Sequence, residues 1–412
     1  MRWSRFWSIL LGIIGLTPLT GRLSGQTWFT DAFQDSRTST GAPDQSDEGF
    51  LKQGPIVVGM YASASIKYTD NIDFSSVAQA GTELSSGLGF SGDWQTLQAA
   101  EFSVSGQWLA NHWITGDGPD QAFLTIQPGS TLRYSIYVDY VKLTPFVNLE
   151  RTYDPGLVPT VGNTPVFEQS SYDGGLEVEV PLNKLSVELM GLRGFATTSG
   201  SGLDNSDTNR TLLSARIVRD FNSRLSAGFE YYAVFENFRN APAASGTNGT
   251  GRLIGSAQLT ATLKAVVAVG IEAVTYAQPA TAGDSTRHTQ LIEDLNLTEQ
   301  LRKNLGCTLR ISDQVSDNFT TDYYRTLSAE FSSDLKLNER TTLAIEAGWQ
   351  HIVQSVSAMG SGDFWTKGAQ LQFAVSDKLS LHLVARSLIN HVVQSGQGYR
   401  ENNLELSADR RF

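Results

Sequence analysis

Asn222-Ser223-Arg224-Leu225-Ser226-Ala227-Gly228-Phe229-Glu230-Tyr231-Tyr232-Ala233-Val234-Phe235-Glu236 is the stretch that decides how this chain folds. Leu225, Ala227, Phe229, Tyr231, Ala233 and Phe235 fall on one side of a period of two, against Ser226, Gly228, Glu230, Tyr232 and Glu236 on the other. Successive side chains of an extended strand point to opposite faces, so this segment presents an apolar face and a polar face along one strand. The triplet Asn222-Ser223-Arg224 before it has the composition of a tight turn.

The same split recurs along the chain. Ile56, Val58, Met60, Ala62, Ala64, Ile66 and Tyr68 oppose Tyr61, Ser63, Ser65, Lys67 and Thr69. Leu327, Ala329, Phe331 and Leu335 oppose Ser328, Glu330, Ser332 and Asp334, and Leu343, Ile345, Ala347 and Trp349 oppose Ala344, Glu346 and Gln350. Short polar turns at 183–184, 222–224, Lys264, 303–304, 338–340 and 377–378 recur about every 40 residues, one hairpin per period. Between them lie longer connections at 199–209, 239–250, 279–289, 319–322, 357–363 and 396–400, rich in Gly, Ser, Thr, Asn and Asp. Every tight turn at one end and every long loop at the other is the mark of a transmembrane up-and-down antiparallel β-barrel in a bacterial outer membrane. Strands of about 11 to 15 residues suit a tilted crossing of the bilayer. The expected count is about 18 strands, an even number. The early hairpins 81–113, with a turn placed at Ser91 to Trp94, and 123–153 are the least regular, and 16 is the alternative.

The 412 residues carry a formal charge of −11 with 40% hydrophobic residues. That average is what a barrel with lipid-facing apolar and lumen-facing polar residues produces, and the acidic balance argues against nucleic acid as a partner. The single cysteine, Cys307, allows neither an internal disulfide nor a Cys-based metal site, and reads as a small apolar strand residue. Residues 1–25 read as a secretory signal peptide: Arg2 and Arg5 precede the apolar run Phe6 to Leu16, and small residues follow near Gly25. Residues 26–54, acidic and without sustained periodicity, read as a flexible periplasmic segment, and 55–412 as the barrel. A segment of this length is too short for a plug domain.

Tyr68-Thr69-Asp70-Asn71-Ile72 resembles the Tyr-x-Asp-Asn-Ile stretch near the start of the beta-barrel porin type 2 family. That resemblance implies an outer-membrane barrel with a porin-like role. The last strand, Leu404 to Phe412, resembles the C-terminal signature of bacterial outer-membrane barrels, which makes Phe412 the expected assembly signal, with Arg410 at a lipid-facing place.

Catalytic motifs are weak. Gly87-Leu88-Gly89-Phe90-Ser91-Gly92 matches a dinucleotide fingerprint but has no βαβ unit around it, and its glycines read as strand packing. His112, His288, His351, His382 and His391 are scattered, and no cofactor or metal is expected. The alternation turns Glu150, Glu177, Glu188, Glu230, Glu272, Asp294, Glu330 and Glu346 inward, with Lys67, Arg133, Arg216, Arg310 and Arg386 as the fewer inward bases. Carboxylates lining a pore favour cations, unless they pair across neighbouring strands and only brace the wall. The expected function is a passive, weakly cation-preferring diffusion channel for small hydrophilic solutes or ions, as a monomer or homotrimer. Its surroundings would be outer-membrane lipid, lipopolysaccharide and the barrel-assembly machinery. The alternatives are a structural or export barrel for a surface polysaccharide or secretion system, and a barrel-wall hydrolase with a Ser/His/acid triad.

Overall fold

A computed structural model describes residues 51–53, 56–71, 78–97, 100–115, 123–153, 168–199, 207–239, 245–278, 286–316, 324–354, 361–392 and 398–412. Residues 1–25, read as a signal peptide, and most of the segment 26–54 lie outside these residues. The strands are β1 (Leu51–Gln53), β2 (Ile56–Thr69), β3 (Gly81–Leu97), β4 (Ala100–Thr115), β5 (Phe123–Val138), β6 (Val141–Tyr153), β7 (Glu168–Leu182), β8 (Leu185–Ser199), β9 (Thr208–Asn222), β10 (Leu225–Phe238), β11 (Gly246–Gln258), β12 (Leu263–Tyr276), β13 (Arg287–Arg302), β14 (Leu305–Ser316), β15 (Tyr324–Asn338), β16 (Thr341–Gln354), β17 (Ser361–Ser376), β18 (Leu379–Val392) and β19 (Tyr399–Arg411). Each strand from β2 onward pairs antiparallel with its neighbours in the chain, and β19 returns to pair with β2. Eighteen strands therefore close on themselves, and closure leaves no unpaired sheet edge in lipid. The short β1 pairs with Ile56 to Val58, continuing on β2 the edge that β19 occupies from Tyr61 to Thr69.

The apolar side chains face out. Met60, Ile66, Tyr68, Phe229, Tyr231, Phe235, Ile271, Phe331, Ile345, Leu404 and Leu406 are all exposed, an inverted arrangement for a protein in water and the expected one in hydrocarbon. Trp349 and Trp365, with ring centroids 6.2 Å apart, stand on this face toward the long-loop ends of β16 and β17. Trp349 Nε1 donates to Asp363 Oδ1 at 3.2 Å, a polar anchor suited to the headgroup level.

The tight turns have local causes. Asp139 and Asn183 adopt left-handed backbone at φ 54° and 46°, a conformation that Asp and Asn tolerate better than most residues. Asn222 and Asn338 each accept, through Oδ1, the backbone N–H two residues on, at 2.8 and 2.9 Å. Two expectations fail. Lys264 is not a turn residue; the chain reverses at 259–262, where Thr260 Oγ1 accepts from the N–H groups of Thr262 and Leu263, and Lys264 lies in β12. Nor is there a turn at Ser91 to Trp94, because β3 runs unbroken to Leu97. Its glycines sit where side chains of neighbouring strands cross it: a Cβ on Gly89 would overlap the ring of Tyr61. The long connections are also narrower than the sequence suggests, since β11 already begins at Gly246 and β13 at Arg287.

The Tyr68-Thr69-Asp70-Asn71 stretch has a structural role at the seam. The backbone N–H of Asn402 donates to Asp70 Oδ1 at 2.6 Å and Asn402 Nδ2 to Oδ2 at 2.5 Å. Asn71 Nδ2 donates to the carbonyl of Arg400 at 3.0 Å, and Thr69 Oγ1 to Glu401 at 3.2 Å. These bonds clasp the first long strand to the last at the long-loop end. At the other end the Phe412 N–H donates to the carbonyl of Met60 at 3.1 Å.

Candidate pore lining

Strand register decides which side chains share the lumen with one another. Across β8 to β11 it sets Glu188 opposite Arg216, Arg216 opposite Glu230 and Glu230 opposite Arg252, so acid and base alternate along one row. Arg252 Nε donates to Glu230 Oε2 at 2.8 Å. Arg216 Nη1 stands 3.7 Å from Glu188 Oε2, a Coulombic contact longer than a hydrogen bond. Arg133 reaches Glu177, Arg310 Nη2 reaches Asp294 at 3.0 Å, and Lys142 Nζ lies 4.0 Å from Glu179. The most deeply buried of these pairs is Arg210 with Asp173, bidentate at 3.1 and 2.5 Å with both side chains withdrawn from water. It spans two strands because Gly194 lies between them: a Cβ there would collide with the Asp173 carboxylate.

The thirteen side chains expected inward from the sequence have the following neighbours. Glu188, Glu230 and Asp294 are drawn into ion pairs with arginines of neighbouring strands, and Glu177 with Arg133 two strands away. Glu272 is buried and accepts from Asn248 Nδ2 at 2.6 Å. Glu330 stands opposite Arg310, and Glu150 stands opposite Ser171. Glu346 and Arg386 flank Gly368 on neighbouring strands, and Lys67 sits between Glu83 and Glu405. Sequence reasoning missed Asp173, and also Arg210 and Arg252, which lie close to segments read as loops, although the same alternation marks all three. Part of the wall is apolar: Phe146, Leu192, Leu212 and Val234 form a buried inward cluster with Met190 and Tyr232 packed against it. Phe412 stays half-exposed at the end of the seam with the Arg410 guanidinium 5.5 Å from its ring centroid.

His382 is the inward histidine of interest. Its Nε2 is 3.1 Å from Ser380 Oγ and 3.1 Å from Asp409 Oδ2, while Nδ1 meets Gln370. A Ser/His/acid triad needs the serine and the acid on opposite ring nitrogens, so that one nitrogen takes the proton while the other is held. Here both crowd Nε2, and the group lies on the lumen face.

A closed barrel of eighteen strands with an apolar outer belt, short turns at one end and a charged inner wall has the fold of an outer-membrane β-barrel of the porin type. Among solved structures it is similar to the outer-membrane protein OpdK of Pseudomonas aeruginosa, with a TM-score of 0.55 and 12% identity over 88% of this chain and 100% of that one. It is likewise similar to Pseudomonas aeruginosa OpdQ, at TM-score 0.53 and 11% identity over 88% and 100% of the two chains. A BenF-like porin from Pseudomonas fluorescens Pf-5 matches at TM-score 0.52 and 11% identity, again over 88% and 100%. No family model and no curated protein matches the chain.

Proposed function

We propose that this protein is a passive diffusion channel of the outer membrane with a preference for cations. The observation that carries the reading is the balance of charge on the lumen face, where carboxylates outnumber guanidinium and ammonium groups even after the arginine pairs are set aside. In a low-dielectric wall, unpaired carboxylates raise the local concentration of cations and oppose anions. Lipopolysaccharide around the outer belt and the assembly machinery acting on the Phe412 strand are the partners that such a barrel calls for.

The test is conductance of the purified full chain in a planar bilayer under a salt gradient. A reversal potential of the sign that cation flux sets, larger at low salt where screening reaches less far, is the expected result. Silence in every condition would replace the channel with a structural or export barrel. OpdK has been solved with vanillate. On the present reading this chain passes small cations more readily than a carboxylate of that kind, which a liposome-swelling comparison checks.

A further inference from the structure

Two groups of lumen carboxylates contrast. On β7 to β13, Asp173, Glu177, Glu188, Glu230 and Asp294 each face an arginine within ion-pair range, so their charge is locally cancelled. On the arc that runs across the seam, from β15 and β16 through β19 and β2 to β3 and β4, the inward residues include Asp334, Glu346, Glu405, Glu83, Asp93 and Glu101, none in an ion pair of 4.0 Å or less among the described residues. The arrangement is densest on β19, whose inward side chains read Glu401, Asn403, Glu405, Ser407 and Asp409, an oxygen at every step. The next strand adds Ser63, Ser65 and Thr69 on the same face.

A second observation points to what this wall takes. Among the described residues, the hydroxyl of Ser407, a residue 3% exposed, has no hydrogen-bond partner, and neither do Asn403 Oδ1 and Asp409 Oδ1, while His382 Nε2 stands 3.1 Å from Asp409 Oδ2. Buried polar atoms are nearly always satisfied, and carboxylate, amide and hydroxyl oxygens together call for a cation or a cationic N–H donor. The bases facing this arc are Lys67, between Glu405 and Glu83, together with Arg386, Lys336 and Arg411. His382 is the titratable neighbour on β18.

We infer that cation selection is made by this acidic arc across the seam, with Glu83, Glu346 and Glu405 as its determinants and Lys67 as the counter-charge that moderates it, while the arginine-paired wall is electrically silent. The ligand class is a small monovalent cation or an organic ammonium. The inference rests on the channel reading, and bilayer recordings separate the two. Replacing Glu83, Glu346 and Glu405 together by Gln is expected to lower the cation-to-anion permeability ratio roughly two- to threefold at low salt. Lys67→Gln is expected to raise it. The charge-neutral double change Glu230→Gln with Arg252→Gln is expected to leave it unchanged. A conducting triple variant with the parent's reversal potential, or a shift in the neutral double variant as large as in the triple, overturns the inference and leaves the channel standing. A parent that conducts nothing overturns both.

Discussion

Asp70 shows what a single side chain contributes to a closed sheet. It accepts from two donors of Asn402 across the seam, where β2 and β19 pair over only nine residues, Tyr61 to Thr69. Hydrogen bonds to a charged acceptor are worth about 1.5–3 kcal/mol, so Asp70→Ala should destabilise the barrel by roughly that amount. Urea titration of the protein in detergent micelles checks it, with amide exchange at Asn402 as the local readout; protection unchanged at Asn402 would mean the clasp is incidental. The resemblance in Tyr68 to Ile72 was visible in sequence, but the partner of Asp70, 332 residues along the chain, was not, because nothing local announces which strand will lie beside it.

The strand is the next scale, and there the two faces obey opposite rules. Phe331 stands midway along β15 on the outer face, and Ser332 beside it faces the lumen. Phe331→Arg puts a charge into hydrocarbon and should cost about 2–4 kcal/mol. Ser332→Arg, opposite Glu346, should be tolerated. Equal losses for the two variants in a refolding assay into lipid vesicles would mean that the face assignment is wrong. Alternation made this assignment legible for most strands, since a period of two leaves only the choice of which face meets lipid. It failed where composition misled: Lys264 resembles a turn residue but sits past the turn, and the glycines of β3 suggested a break where they make room for side chains such as Tyr61.

At the scale of the molecule, closure predicts behaviour that no single hairpin has. Unboiled protein in detergent should migrate on a gel apart from boiled protein, because a closed eighteen-strand hydrogen-bonded ring stays compact until heated. Orientation follows from the connections. With Cys307 replaced, cysteines at positions 245 and 286 should react on intact cells with a membrane-impermeant thiol reagent, and those at 223 and 303 should not. The reverse pattern would invert the barrel.

The sequence by itself determined the class of fold and the strand count to within one hairpin, because strand periodicity and turn chemistry are local properties of the chain. Which lumen charges cancel and which stay free was decided only by the tertiary structure. Pairing depends on the register between strands and on the reach of each side chain, down to a glycine such as Gly194 that lets Asp173 meet Arg210 two strands away. Those are relations between segments, and Coulomb energy depends on the distances that only the closed barrel sets.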